Sequence, residues 1–110
     1  MKLPNAEHAV VEIEKLRDYC LSTTHPRGKH KAIVFAPVLA VTANEAEILQ
    51  DFILSATLNN EAIPTEKDVY GQRFVMDFEM ENKGRIAVVR TSWIIRTSED
   101  FLHLTSCYIL

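Results

Sequence analysis

Cysteine and glycine are scarce in this sequence, and each scarcity excludes a class of protein. Cys20 and Cys107 lie far apart and form no C-x-x-C pair, which argues against a disulfide framework and a zinc knuckle. We expect two buried thiols in a reducing, cytoplasmic compartment. The 3 glycines form neither a G-x-S-x-G elbow nor a Walker loop, so a serine hydrolase and a P-loop nucleotide site are unsupported.

Long apolar runs and an excess of positive charge are also missing. No stretch approaches the roughly 18 apolar residues of a membrane-spanning helix, and no signal peptide precedes a mature chain expected to begin near Met1. A net charge of −3 means that any polyanion site has to be local. His25 and His30 have no third ligand at a suitable spacing, so we expect neither a metal nor another cofactor. The 110 residues are expected to form a single domain, residues 1–110.

Apolar residues recur at three- and four-residue steps in the first half of the chain, which predicts helices. Residues 6–21 fit one amphipathic helix capped by Asn5. Residues 32–39 favour a short helix, although part of this segment also fits a strand. Thr42 and Glu45 form a capping-box pattern that predicts a longer helix, ending near residue 58.

The hydrophobic period changes to two in the second half of the chain. Residues 74–81 alternate Phe or Met with other residues, which predicts a strand with one buried face. A hairpin turn at residues 82–84 is expected to join it to a strand at 86–95, and a last strand is expected at 102–109. A short strand near residue 62 would be a fourth. The predicted fold class is α+β, with N-terminal helices (about residues 5–58) packed on an antiparallel sheet of three to four strands (about residues 62–110).

The densest group of cationic and titratable side chains lies between two predicted helices and runs His25-Pro26-Arg27-Gly28-Lys29-His30-Lys31. Two interpretations stay open. The segment is either a phosphate-handling loop, in which cations neutralise an oxyanion and a histidine transfers a proton, or an exposed basic loop. If the fold brings it against the second basic group, the two form a cationic cleft. That second group comprises Lys83, Arg85, Arg90 and Arg96.

Arg90 lies in the middle of a predicted strand, where a charged residue needs solvent or a partner. Alternation places Arg90 and Ser92 on one face and Thr91 and Trp93 on the other. Two interpretations are again open. Arg90 either pairs with an acidic residue of the neighbouring strand, Asp77 or Glu79, or acts as a fixed cation for a bound phosphate.

The last predicted strand is unusually polar. The hydroxyls of Thr105 and Ser106 can bind phosphate oxygens or bond across strands. His103 is expected to be a half-exposed strand histidine. Arg73, beside Tyr70 at the start of the first long strand, is a second candidate cation.

The order of these motifs carries a resemblance that extends over nearly the whole chain. Asp18-Tyr19-Cys20-Leu21 is followed by His25-Pro26-x-Gly28-x-x-Lys31-Ala32, Asp68-x-Tyr70-Gly71-x-Arg73, Val89-Arg90-Thr91-x-Trp93-Ile94 and Leu104-Thr105-Ser106-x-Tyr108. This set resembles a widespread family of small bacterial domains of unassigned function. It is also similar to the C-terminal toxin domains of contact-dependent inhibition and other polymorphic toxins, which are grouped with the barnase, EndoU, colicin and RelE fold of metal-independent ribonucleases.

The resemblance implies an endoribonuclease, often directed at tRNA, that leaves a cyclic phosphate and is held inactive by a cognate immunity protein or antitoxin. It implies catalytic roles for His25, Lys31, Arg90 and Thr105. It implies substrate contacts for Arg27, Lys29, His30, Tyr70, Arg73, Ser92 and Ser106. The alternative is a non-catalytic protein-binding module with the same fold. The enzyme requires these side chains to converge on one phosphate-sized site.

Overall fold

The computed structural model describes residues 2–24 and 33–110. It is an α+β fold whose helices precede the sheet in the chain, as predicted. None of the helices in these two ranges is both long and apolar enough to cross a membrane. The helices are α1 (Ile13–Lys15, continued by a π-helical turn at Leu16–Cys20), α2 (Phe35–Leu39) and α3 (Ala46–Asn59), and short 3-10 turns cover Ala6–His8 and Ala43–Glu45.

The prediction of one helix over residues 6–21 is wrong, because the chain is extended at Ala9 and Glu12. Val10 between them pairs with the outer edge of the last strand. Its amide donates to the Leu102 carbonyl at 2.8 Å, and its own carbonyl accepts from the Leu104 amide at 3.0 Å. Pairing with an exposed sheet edge satisfies backbone groups that a helix would otherwise satisfy internally.

The two later helices agree more closely with their predictions. The short helix α2 buries Phe35 and Leu39 completely. The long helix α3 ends at Asn59, within one residue of the predicted end. At its start the Thr42 hydroxyl donates to Glu45 Oε1 at 3.4 Å, and within the described ranges no backbone amide donates to that hydroxyl. The other half of the predicted box is present, because the Thr42 amide donates to the Glu45 carboxylate, which also pairs with Lys83 of the hairpin turn at 2.6 Å.

The described second half of the chain forms a four-stranded antiparallel meander in the order β1-β2-β3-β4. Its strands are β1 (Ala62–Asp68), β2 (Gly71–Asn82), β3 (Arg85–Arg96) and β4 (Leu102–Ile109). The predicted hairpin is confirmed: Lys83 and Gly84 have φ of 52° and 78°, the paired positive values that a two-residue turn between twisted strands requires. Strand β1 continues well beyond the short segment predicted near residue 62.

The sheet packs one face against the helices, and the alternation predicted for β2 is confirmed. Phe74, Met76, Phe78 and Met80 are buried in one cluster with residues of all three helical segments. Thr91 of β3 lies completely buried in this cluster. Its hydroxyl donates to the Met76 carbonyl at 2.6 Å and accepts from Trp93 Nε1 at 2.8 Å, so the polar atoms of this part of the core are satisfied.

Candidate functional site

The opposite face of the sheet carries exposed and half-buried side chains apart from Ile94, which is buried, and we call it the open sheet face. Strand register arranges it in rows that run across β2, β3 and β4. Residues that alternate along a strand share a face, so these rows lie side by side, roughly 7 Å apart along the strands. The three central rows are Asp77–Arg90–Tyr108, Val75–Ser92–Ser106 and Arg73–Ile94–His103.

Arg90 pairs with Asp77, as one of the two interpretations predicted. Its Nε donates to Asp77 Oδ1 at 2.8 Å and its Nη2 to Oδ2 at 2.9 Å, so the pair is bidentate. The Arg90 guanidinium holds the pKa of Asp77 below its ordinary value. Asp77, and to a lesser extent Tyr108, raise the pKa of Arg90. Both side chains remain more than a third exposed, at 38% and 35%, so a ligand can reach the pair.

The predicted hydroxyl residues lie in the row next to Arg90. Ser92 of β3 faces Ser106 of β4, and both are half-buried. Ser92 pairs with Ser106 and Trp93 pairs with Leu104, so Thr105 has no residue directly opposite it on β3. This is the geometry of a β-bulge, in which two consecutive residues, here Thr105 and Ser106, oppose one residue of the neighbouring strand. The structure therefore brings Arg90 together with three of the predicted hydroxyl groups on one face.

Arg73 and Tyr70 lie toward the other end of the sheet. Arg73 is on the open sheet face, two rows from Arg90, and forms an ion pair with Asp68 at 3.6 Å. Tyr70 is exposed in the turn between β1 and β2, where Asp68 Oδ1 accepts a hydrogen bond from its amide at 2.9 Å. The two residues flank the site at the end where β1 meets β2, which we call the turn end.

The second basic group does not gather into a cleft. Lys83 pairs with Glu45, the Arg85 guanidinium donates to the Pro37 carbonyl, and Arg96 pairs with Glu99 at the far end of β3. These cations are spread along β3 and its hairpin turn, each with a local partner. The first basic group, comprising His25, Arg27, Lys29, His30 and Lys31, lies outside the described residues.

A titratable cluster at the turn end is not apparent from the sequence. Arg96 ends β3, His103 is the second residue of β4, and Glu99 lies in the turn between them. His103 is less exposed than expected, with 13% of its side chain accessible. The three residues lie in the sequence pattern Arg-x-x-Glu-x-x-x-His. This pattern does not predict that their side chains meet, because their contact depends on the backbone path of the turn between β3 and β4. The described ranges contain no group of three His, Cys, Asp or Glu side chains that could hold a metal ion.

Comparison with known proteins places the chain in a family. Residues 2–110 match the family described as "Domain of unknown function (DUF6883)". The chain belongs to this family. The expected resemblance to a family of unassigned function is thereby confirmed. No curated protein matches the sequence.

One solved structure shares the fold over almost the whole chain. It is a chain of the contact-dependent growth inhibition toxin–immunity protein complex from Klebsiella pneumoniae 342. The alignment covers 93% of the present chain and 100% of the other, with a TM-score of 0.67 and 16% sequence identity. At this identity the similarity establishes a common fold.

Proposed function

We propose that this chain is a toxin-like, metal-independent endoribonuclease that acts in the cytoplasm on RNA, with tRNA as the expected substrate. The observation that carries the proposal is the pair of adjacent rows on the open sheet face, one holding Arg90 and the next holding Ser92 and Ser106. A guanidinium beside hydroxyl donors suits a phosphodiester, because planar N–H donors match phosphate oxygens. The ordered motifs favour the barnase, EndoU, colicin and RelE fold group.

The proposed reaction is an internal transesterification. The ribose 2′-oxygen attacks the adjacent phosphorus, the new P–O2′ bond forms and the P–O5′ bond breaks, leaving a 2′,3′-cyclic phosphate and a 5′-hydroxyl. One residue accepts the 2′-hydroxyl proton and another protonates the departing 5′-oxygen. Following the resemblance, His25 performs one of these proton transfers, Lys31 and Arg90 stabilise the phosphorane charge, and Thr105 or Ser106 binds one of its oxygens. The residues proposed as substrate contacts are Arg27, Lys29, His30, Tyr70, Arg73, Ser92 and Ser106.

The ion pair with Asp77 is compatible with this role. An arginine side chain has five N–H donors; Asp77 occupies two of them, and the Tyr108 side chain also hydrogen-bonds to the guanidinium. The remaining donors can contact a phosphate while Asp77 holds the guanidinium plane in place. Asp77 thus orients the Arg90 guanidinium and also weakens its electrostatic attraction to RNA. The chain as a whole also has a negative net charge, so its attraction to RNA depends on local cations.

A toxin that acts in the cytoplasm requires a neutralising protein. We infer a cognate immunity protein or antitoxin as the partner, supported by the fold shared with a chain of a toxin–immunity complex. Such a partner is expected to cover the open sheet face, because covering Arg90 and its neighbouring rows would block access to RNA.

The proposal is tested with purified protein and total tRNA in the presence of a chelator. Wild type should give discrete cuts that end in cyclic phosphate, and Arg90→Ala and His25→Ala should abolish them. Arg85→Ala is the matched control, because it removes the same charge from the same strand at a site that contacts the Pro37 carbonyl. Fluorescence of Trp93, the 1 tryptophan, reports folding of each variant. Absence of cleavage by the folded wild type, with or without cell extract, contradicts the proposal.

A second function, a non-catalytic protein-binding module, is favoured by one observation. Val88, Ile86 and Leu110 are exposed at the hairpin end of the open sheet face, with Val88 39% and Leu110 60% accessible. The Leu110 amide donates to the Val88 carbonyl, so two of the three are neighbours. If the folded protein cleaves no RNA, Val88→Asp should weaken binding of a candidate partner protein by at least about tenfold. Thr65→Asp on exposed β1 is the control.

A further inference from the structure

The Arg90 guanidinium is held from both neighbouring strands. On the β2 side, Asp77 accepts its two hydrogen bonds of 2.8 and 2.9 Å. On the β4 side, Tyr108 lies directly opposite Arg90 in the strand register, and its side chain also hydrogen-bonds to the guanidinium. With partners on two sides, the guanidinium has a defined orientation on the open sheet face, while 38% of the Arg90 side chain stays accessible.

The hydrogen bond between Arg90 and Tyr108 has only one possible direction. A guanidinium donates hydrogen bonds and accepts none, so the Tyr108 oxygen is the acceptor. The phenol hydrogen takes no part in this bond, and Tyr108 can donate it to a second group. A cation that donates to the phenol oxygen also polarises its O–H bond, because hydrogen bonds in a chain strengthen one another. Beside Arg90, the Tyr108 hydroxyl is therefore a stronger donor than an isolated phenol.

Tyr108 lies beside the predicted hydroxyl residues as well as beside Arg90. Ser106 comes two residues earlier in β4, so it shares the open sheet face with Tyr108, and its register partner is Ser92. We call these four residues, Arg90, Tyr108, Ser92 and Ser106, the Arg90 patch. Its corners are about 5 Å apart across the strands and about 7 Å apart along them. Even diagonal neighbours in such a patch are within reach of aromatic and long side chains.

The composition of the Arg90 patch suits one phosphate group. Its guanidinium supplies positive charge, and its three hydroxyls supply neutral donors. The carboxylate in the same row, Asp77, directs both oxygens to Arg90. All four side chains of the patch are half-buried, so a ligand can reach them and water is partly excluded. Donors that are fixed in a partly dry site stabilise developing charge more strongly than donors in bulk water.

We propose that Tyr108 is a catalytic residue of the ribonuclease, and that its hydroxyl donates a hydrogen bond to a non-bridging oxygen of the scissile phosphate. This inference rests on the proposed function, which assigns no role to Tyr108. Negative charge on the non-bridging oxygens grows as the 2′-oxygen adds to phosphorus, so the hydrogen bond strengthens in the phosphorane. A neutral donor adds little to the initial attraction of RNA, so the hydroxyl acts mainly on the rate. Its proton stays on Tyr108, and both proton transfers belong to other residues.

The test is single-turnover cleavage of tRNA in chelator by Tyr108→Phe, which keeps the ring and removes the hydroxyl. At saturating protein the cleavage rate should fall by about 10²- to 10³-fold, the usual effect of losing one donor to a developing oxyanion. Affinity for a nuclease-resistant RNA should change by less than about threefold, because the interaction strengthens only in the transition state. Tyr108→Leu provides a second variant if the phenylalanine variant fails to fold, as judged by Trp93 fluorescence.

A second measurement separates direct contact with the phosphate from a purely structural bond between strands. A model RNA is prepared with sulfur in place of one non-bridging oxygen at the mapped cleavage position, as each of the two stereoisomers. Because sulfur is a weak acceptor, wild type should cleave at least one stereoisomer more slowly than the oxygen substrate. In Tyr108→Phe this sulfur effect should shrink by at least about threefold, the mark of two groups that interact. If Tyr108 only holds Arg90, both sulfur effects stay as in wild type.

Tyr19→Phe is the matched control. Tyr19 is half-buried like Tyr108 but lies in the π-helical turn, where Lys15 Nζ is 5.5 Å from the centre of its ring. Loss of its hydroxyl should leave cleavage as in wild type. If wild type cleaves and the folded Tyr108 variants keep its rate, lose affinity as much as rate, or keep both sulfur effects, the inference is wrong and the proposed function stands. If wild type does not cleave, the proposed function fails and the inference fails with it.

Discussion

Arg90 and Asp77 face each other across β3 and β2 and share two hydrogen bonds of 2.8 and 2.9 Å. The pair has a direct consequence for stability. Because Arg90 lowers the pKa of Asp77 in the folded protein, the pair contributes stability above the unfolded-state pKa of about 3.9. That contribution is lost as the pH falls through the lower folded-state pKa. It should be small, because water screens a pair that is more than a third exposed.

Comparison of wild type with Asp77→Asn by urea unfolding checks this pH dependence. The difference in free energy of unfolding should be constant from about pH 7 to about pH 5 and should vanish well below about pH 4. Repeating the measurement at about 1 M salt, where screening is strong, should reduce the difference at neutral pH. A difference that grows on acidification would contradict the assigned ion pair.

The same substitution should have the opposite effect on RNA binding. Asp77→Asn leaves the Arg90 charge unopposed, so affinity for a nuclease-resistant RNA should rise by about two- to tenfold and become more salt-dependent. Arg90→Ala should weaken binding by a similar factor. Fluorescence anisotropy over a salt series measures both effects. If Asp77→Asn binds RNA as weakly as wild type or more weakly, Arg90 does not contact the phosphate.

Thr91 connects Met76 and Trp93 inside the core. Thr91→Val preserves shape but leaves the Met76 carbonyl and Trp93 Nε1 without their partner, so unfolding should become easier by about 1–3 kcal/mol. Thr65→Val on exposed β1 is the control and should change stability by less than about 0.5 kcal/mol. Chemical denaturation followed by Trp93 emission gives both values, and equal stability of the two variants would be inconsistent with the buried network.

Gly71 and Gly84 both have positive φ, yet substitution by alanine should lower the stability of the protein more at Gly71 than at Gly84. At Gly71 (φ 147°) an added Cβ would lie 2.1 Å from the Ile95 carbonyl oxygen, whereas at Gly84 (φ 78°) no described atom lies within 4 Å. Gly71→Ala should therefore cost about 1–3 kcal/mol from steric overlap in addition to backbone strain. Gly84→Ala should cost about 1 kcal/mol, from strain alone. A thermal melt that ranks them in the reverse order would refute this reasoning.

The two cysteines should be protected in the folded protein. Both are buried, as predicted, and the neighbouring Cys20 thiol together with burial raises the pKa of Cys107. Since the thiolate is the reactive form, alkylation at neutral pH should be much slower than in denaturant, by more than about 10²-fold. Mass spectrometry of timed alkylation distinguishes the two sites. Rapid modification of native Cys107 would show that the helical layer opens readily.

The local sequence determined most of the regular structure. The two-residue period of β2, the β-branched residues of β3 and the turn at Lys83 and Gly84 each act through neighbouring residues, so these two strands and their hairpin could be predicted from the chain alone. Most of β1 could not. The same applies to α3, whose apolar face and terminal asparagines are local signals. Alternation alone also places Arg90 and Ser92 on one face.

Tertiary structure decided the features that depend on residues distant in sequence. Val10 has apolar neighbours at helical spacing, yet it pairs with β4 because that strand offers a backbone edge that no local pattern reveals. Asp77 and Glu79 were equal candidates for Arg90 until strand register selected Asp77. The contact of Glu99 with Arg96 and His103 depends on the path of one turn. Periodicity specifies which face a residue occupies, whereas register and chain path specify its neighbours, and the chemistry of the site depends on those neighbours.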